Sequence, residues 1–170
     1  NNLNPVSATT SLGDGTLAST TTLTYDNYGR PLTSDGPLAG TADLTRVRYN
    51  AAGQVIGQVG PDPDDAGAAK FQAVRYSYNA RGQLYLTESG TVNSQSDADW
   101  AAFSPIGNTL TEFDTHGRPV RRKVRNGTSD YQVVDTVYGT GGRVTCSIVR
   151  MTPASWGTVA SSCTPPQTGD

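Results

Sequence analysis

Residues able to do chemistry are few in this 170-residue sequence, and they lie far apart. A nucleophilic serine or cysteine needs a base and an orienting acid, and a zinc site needs several histidine or cysteine ligands. The single histidine, His116, stands in a variable turn position, and the two cysteines are Cys146 and Cys163. Neither set can be assembled from these residues, so the sequence predicts a protein that is not an enzyme and uses no cofactor or metal. Cys146 and Cys163 form a disulfide around the Ser147–Ser162 loop if the compartment is oxidising, or remain two thiols in a reducing cytosol. Asp62, Asp64 and Asp65 offer the oxygen ligands that calcium prefers, but the spacing is not that of an EF-hand and glutamates are absent nearby. A solvated loop is the expectation there.

Three further groups invite a binding role. Arg118, Arg121, Arg122, Lys123 and Arg125 form a basic cluster in which Arg121, Lys123 and Arg125 share one strand face. An outward basic face that discourages edge pairing is the simpler expectation, with binding of an anion or an acidic partner as the alternative. Tyr25, Tyr49, Tyr76, Tyr78 and Tyr138 could form a sugar-stacking platform, although their fixed place beside turns favours packing. Asn126-Gly127-Thr128 matches a glycosylation acceptor, yet reads equally well as a hairpin turn.

The elements that position these residues follow from composition. Lys and Arg number 13 against 15 Asp and Glu, which argues against binding a phosphate backbone, so no nucleic-acid partner is expected. No apolar run is long enough for a membrane span, and no signal-like segment opens the chain. The sequence begins Asn1-Asn2-Leu3-Asn4 without Met, which reads as a piece of a longer chain. Leu, Ile, Val and Phe total 30 residues, a thin supply for a core, but 14 Val, 23 Thr and 8 Tyr are strand formers. The two lysines are too few for ordinary surface helices. The expected fold is all-β.

A repeated pattern organises the chain. An aromatic residue, Asp or Asn, two variable residues, Gly, then Arg or Gln recur at Tyr25-Asp26-x-x-Gly29-Arg30, Tyr49-Asn50-x-x-Gly53-Gln54, Tyr78-Asn79-x-x-Gly82-Gln83 and Phe113-Asp114-x-x-Gly117-Arg118. A degenerate fifth copy is Tyr138-Gly139-x-x-Gly142-Arg143. Alternation before the aromatic, as in Val74, Tyr76 and Tyr78 against Arg75, Ser77 and Asn79, marks a strand. Asp or Asn starts a turn by accepting backbone N–H bonds, and Gly closes it at positive φ. Each unit is therefore a β-hairpin, and its aromatic face must be buried by stacking against the next. The units span about 20–35, 44–60, 71–90, 108–126 and 130–151. The fold class is consecutive antiparallel hairpins forming a twisted ribbon or part of a hollow shell. A Pro-rich loop is expected at 61–70. The insertion 94–105 should hold a Ser-capped helix over about 97–103, stopped by Pro105, with Trp100 and Phe103 docked on the ribbon. Asn126-Gly127 should centre a two-residue turn, and 152–170 should be a spacer.

The Tyr-Asp-x-x-Gly-Arg unit resembles the YD repeat of the RHS family, which includes bacterial Rhs polymorphic toxins, the C components of insecticidal toxin complexes, and animal teneurins. The resemblance covers about Leu23 to Met151. The segment Gly142 to Ala154, with Cys163, is also similar to a spacer of long RHS proteins of environmental proteobacteria. The resemblance implies a secreted or surface-delivered structural protein whose hairpins wall in a toxin cargo. Its partners would be flanking repeats of the same chain, or further copies of it, that satisfy open strand edges. The alternatives are a carbohydrate- or cell-surface-binding adhesion module, with a surface glycan as partner, and a self-assembling extracellular structural protein. RHS toxin cores end in a self-cleavage site with Asp-Pro followed by x-Gly; Asp62-Pro63 is followed by Asp64-Asp65 and lies between repeats, so no cleavage is expected there.

Overall fold

The computed structural model describes residues 4–15, 18–65 and 67–164. Residues 165–170 of the expected spacer, Ala66 of the expected loop and the opening Asn1-Asn2-Leu3 lie outside the described residues. Eleven antiparallel strands form one sheet whose order follows the chain, so the fold is all-β and built from consecutive hairpins. They are β1 (Ser7–Ser11), β2 (Ala18–Tyr25), β3 (Pro31–Asp35), β4 (Thr45–Tyr49), β5 (Val55–Val59), β6 (Phe71–Tyr78), β7 (Leu84–Val92), β8 (Ser104–Phe113), β9 (Pro119–Asn126), β10 (Ser129–Tyr138) and β11 (Val144–Arg150). Each of the five expected units contains a strand pair. β1 has no counterpart in the sequence reading, because Ser7–Ser11 carries no repeat signature.

The chain divides into two compact units, the first comprising residues up to Arg75 with Ser89–Ser104, the second Tyr76–Glu88 with Pro105 onward. In the first, register pairs Arg46 with Val59, Val59 with Ala73, Arg48 with Gly57, and Gly57 with Arg75. Cross-strand partners point to the same side of a sheet, so these residues share a face. The insertion after β7 covers it. Helix α1 (Asp97–Ala101) begins at Ser96, whose hydroxyl accepts from the Asp99 N–H, and acidic Asp97 and Asp99 sit in its first turn. The helix stops two residues short of the expected end: the Ala102 and Phe103 N–H groups bond back to Asp99 and Trp100 in a tightened final turn, and β8 starts at Ser104, so Pro105 belongs to a strand. Trp100 and Phe103 dock as expected, packing with Val59, Phe71, Ala73 and Val92.

This places the core on the side opposite to the one the repeat suggested. Phe71 and Ala73 are buried, whereas Val74, Tyr76 and Tyr78 on the other parity are half-buried, as are Tyr25 and Tyr49. The repeat aromatics do not form the buried core because the covering insertion carries its own aromatics to the other face.

In the second unit β9 pairs with both β8 and β10, and β10 pairs with β11. The β9–β10 turn differs by one residue from the expected one. Asn126 pairs with Ser129, leaving Gly127-Thr128 as the two-residue loop, with Gly127 at φ 58. Gly at the first central position is the type II′ arrangement. After β11 the chain makes a short 3-10 turn at Pro153–Ser155, and the Cys146–Cys163 disulfide joins the segment that follows to β11. Among the described residues no helix is long and apolar enough to cross a membrane.

Candidate functional site

The five signature turns share the same pair of backbone hydrogen bonds. In the first, Asp26 N–H donates to Arg30 O and Gly29 N–H donates to Asp26 O; Asn50, Asn79, Asp114 and Gly139 begin turns with the same two bonds. Gly29, Gly53, Gly82 and Gly117 all lie at φ 77–81, where a Cβ is costly. In the first four, the turn is type I closed by a left-handed glycine, and register shifts mark a bulge beside Tyr25, Tyr49 and Phe113; in the fifth, Gly141 and Gly142 both lie at positive φ.

The side chains reveal a pairing that the sequence pattern does not state. Asp26 Oδ1 accepts from the Tyr28 and Arg30 N–H groups while Oδ2 meets Arg30 Nε at 2.6 Å. Asp114 repeats this with His116 and Arg118. Where the turn starts with Asn, its partner is Gln: the Asn50 and Asn79 amides donate to Gln54 and Gln83 Oε1 at 2.9 Å. Asp therefore goes with Arg and Asn with Gln, charge with charge and amide with amide. The backbone N–H of Arg118, and then its guanidinium, hold the Asp114 carboxyl below the usual carboxylate range against the effect of burial. Asp114→Asn is expected to lower the melting temperature because an amide then faces a guanidinium, and adding Arg118→Gln should restore part of the loss. Thermal melts of the two variants check this, and additive losses would count against the pairing.

The same residues join one hairpin to the next. Tyr25, Tyr49 and Tyr138 donate their hydroxyls to the carbonyls of Pro5, just before β1, Pro31 on β3 and Pro119 on β9, at 2.6, 2.9 and 3.0 Å. Arg30 lies 4.5 Å over the Tyr49 ring and Arg118 lies 4.4 Å over the Tyr138 ring. Phe113 has no hydroxyl, and there Gln83 Nε2 donates to Gly117 O and Arg81 to Thr115 O. Tyr138→Phe is expected to cost about 0.5–1.5 kcal/mol, the net worth of one hydrogen bond, measured by denaturant titration.

The other candidates are placed as follows. His116 is exposed, with its ring 3.9 Å from Asp114. Asp62 and Asp64 accept bonds from their own loop, from the Asp64 and Ala69 N–H groups, and Asp65 sits at φ 49. Among the described residues no three His, Cys, Asp or Glu side chains are grouped to hold a metal. The most exposed tyrosines are Tyr28 and Tyr131, which are not the signature aromatics.

The basic cluster is not the outward face that was expected. Arg121 is 2% exposed and pairs with Asp135; Lys123 reaches Glu112 and Asp130, and Arg125 pairs with Asp130. Register explains this, since Arg121 stands opposite both Glu112 and Asp135. Sequence reasoning missed the centre of this network. Arg121 Nε and Nη2 donate to the two oxygens of Asp135 at 2.6 and 2.9 Å, and Arg150 Nε donates to Oδ2 at 2.8 Å. The covering segment completes it. Trp156 O and Thr158 O accept from Arg121, Thr158 O also accepts from Arg150, and Ala160 N–H donates to Asp135. Burial opposes ionisation of Asp135, but the bonds from Arg121, Arg150 and the Ala160 N–H prevail and its pKa is lowered. The signal was available: Asp135 sits between Val133 and Val137 on the inward parity of β10.

The first unit holds its cover in a similar way. Arg46 and Arg48 donate to the Gln95 carbonyl at 2.8 and 2.7 Å and both meet Asp97, while Gln95 Nε2 donates to Leu44 O and Gly60 O. Arg48 lies over the Trp100 ring and Arg75 over Phe103. Burial, and then the neighbouring Arg46 charge, lower the Arg48 pKa against the pull of Asp97. In both units, strand arginines hold the backbone of a Trp-bearing cover.

A scan against protein-family models finds no match to this chain, and a search of curated proteins finds none either.

Proposed function

We propose that this chain is a non-catalytic structural segment of a large secreted or surface RHS protein, and that its YD-type hairpins form part of a wall enclosing or delivering a toxin cargo. The observation that carries this reading is the use made of the signature residues. The Asp-Arg and Asn-Gln pairs close the turns, and three of the signature tyrosines, Tyr25, Tyr49 and Tyr138, tie a hairpin to the chain before it. A motif whose residues are engaged in joining hairpins is suited to extending a sheet, and leaves little of itself to grip a ligand. The disulfide accords with an oxidising destination.

A glycan array separates this reading from an adhesion role. Under the structural reading, wild-type protein shows no specific glycan retention, and Tyr25, Tyr49 and Tyr78 substitutions lower stability alone. Specific retention that disappears on those substitutions while circular dichroism is unchanged would overturn it in favour of carbohydrate binding.

A further inference from the structure

The arrangement around Thr158 points to a concealed binding site. Two guanidiniums, from Arg121 and Arg150, converge on one neutral oxygen, the Thr158 carbonyl, at 2.6 and 3.3 Å, and Arg121 holds a second carbonyl, that of Trp156, at 2.7 Å. Arginine forks bind carboxylate oxygens more strongly than neutral carbonyls. Asp135 is fully buried and the two arginines nearly so, so the guanidiniums have little access to water and take the strap carbonyls instead. The segment that supplies the carbonyls is short, and it donates to the sheet through Trp156 Nε1 to Arg150 O and Ala160 N–H to Asp135. Its far end is held to β11 by the Cys146–Cys163 disulfide.

We propose that residues 152–163 form a disulfide-latched strap whose carbonyls stand in for a ligand carboxylate, and that opening the latch uncovers a site for an acidic peptide made by Arg121 and Arg150. The opening step is thiol–disulfide exchange with a dithiol reductant. The reductant gives up two electrons and two protons and becomes a disulfide, while Cys146 and Cys163 become two thiols. The strap, no longer tied at both ends, then exchanges its carbonyls for a glutamate or aspartate side chain of the partner. Asp135 remains in place and orients both guanidiniums, and its charge disfavours a dianion, which is why a carboxylate is the fitting occupant rather than a phosphate.

Two readouts on the whole chain test this. The Ala160 amide, bonded to Asp135, reports strap opening by hydrogen exchange. Reduction, or the Cys146→Ser/Cys163→Ser double variant, should accelerate its exchange on the order of 100-fold, the effect of releasing a loop of this length. A labelled hexaglutamate peptide should bind the reduced protein and the double variant, and not the oxidised protein; hexaglutamine should bind none of them. Arg150→Gln should abolish binding, whereas Arg122→Gln, on the other parity of β9, should keep it. Unchanged Ala160 exchange on reduction overturns the latch, and opening without hexaglutamate binding overturns the site. Equal binding to the oxidised protein shows that nothing was concealed, and loss of the β-sheet circular dichroism signal on reduction shows that the disulfide holds the fold rather than a strap.

Discussion

Asp135→Asn is expected to destabilise the protein by about 3–5 kcal/mol, the usual result of removing one partner from a buried ion network. Arg121 is 2% and Arg150 3% exposed, so neither guanidinium can turn to water when the carboxylate goes. The strap should loosen in the same variant, because Ala160 N–H loses its charged acceptor. Denaturant midpoints measured against pH distinguish charge from shape. The folded-state pKa of Asp135 lies below its ordinary value of 3.8. Its contribution is therefore complete above the unfolded value and is lost as pH falls through the lower folded value. The gap between wild type and Asp135→Asn should stay constant from about pH 7 to pH 5 and narrow below about pH 4. A gap that does not change down to pH 2, or an Asn variant as stable as wild type, would remove the electrostatic account of this network.

The signature turns were legible in the sequence because their requirements are local. Asp or Asn must reach N–H groups two and four residues ahead, and Gly must adopt positive φ, so the pattern is written within six residues. Helix α1 was legible for the same reason, through Ser96 and the acids of its first turn. The fate of the basic cluster was not legible, because it depends on register. Arg121 finds Asp135 fourteen residues away and its carbonyl partners thirty-five and thirty-seven residues away, and no local rule links these positions. The same applies to the Asn126 turn. The register shift between Asp130 and Gln132 lies just beyond the two-residue loop, and the turn is displaced by one residue from the Asn-Gly centre that local preference favours. Which face carries the core was likewise a non-local matter, decided by an insertion that is far in sequence from the strands it covers.

The covered face of the first unit yields the second large effect, and its sign depends on the neighbour. Gly57 lies in the middle of β5 at a backbone geometry any residue could adopt, and the need for glycine there is the Trp100 ring: a Cβ at this position would overlap two of its carbons. Gly57→Val is therefore expected to destabilise by about 3 kcal/mol, combining overpacking with partial loss of the docked indole. Trp100→Ala should cost about 3–5 kcal/mol through the cavity it leaves beside Phe103 and Val59, and through the exposure of Arg48. In the Trp100→Ala background the first substitution should change character. Glycine weakens a strand interior and valine favours it, so with the ring gone Gly57→Val should be neutral or stabilising. A double-mutant cycle by denaturant titration, followed by circular dichroism, measures this directly. Additive losses would mean that the ring does not rest on Gly57, and the insertion would then owe its position to the Arg46 and Arg48 bonds alone. A coupling of about 3 kcal/mol or more would show instead that a missing side chain in one repeat is what lets the inserted helix settle on the sheet.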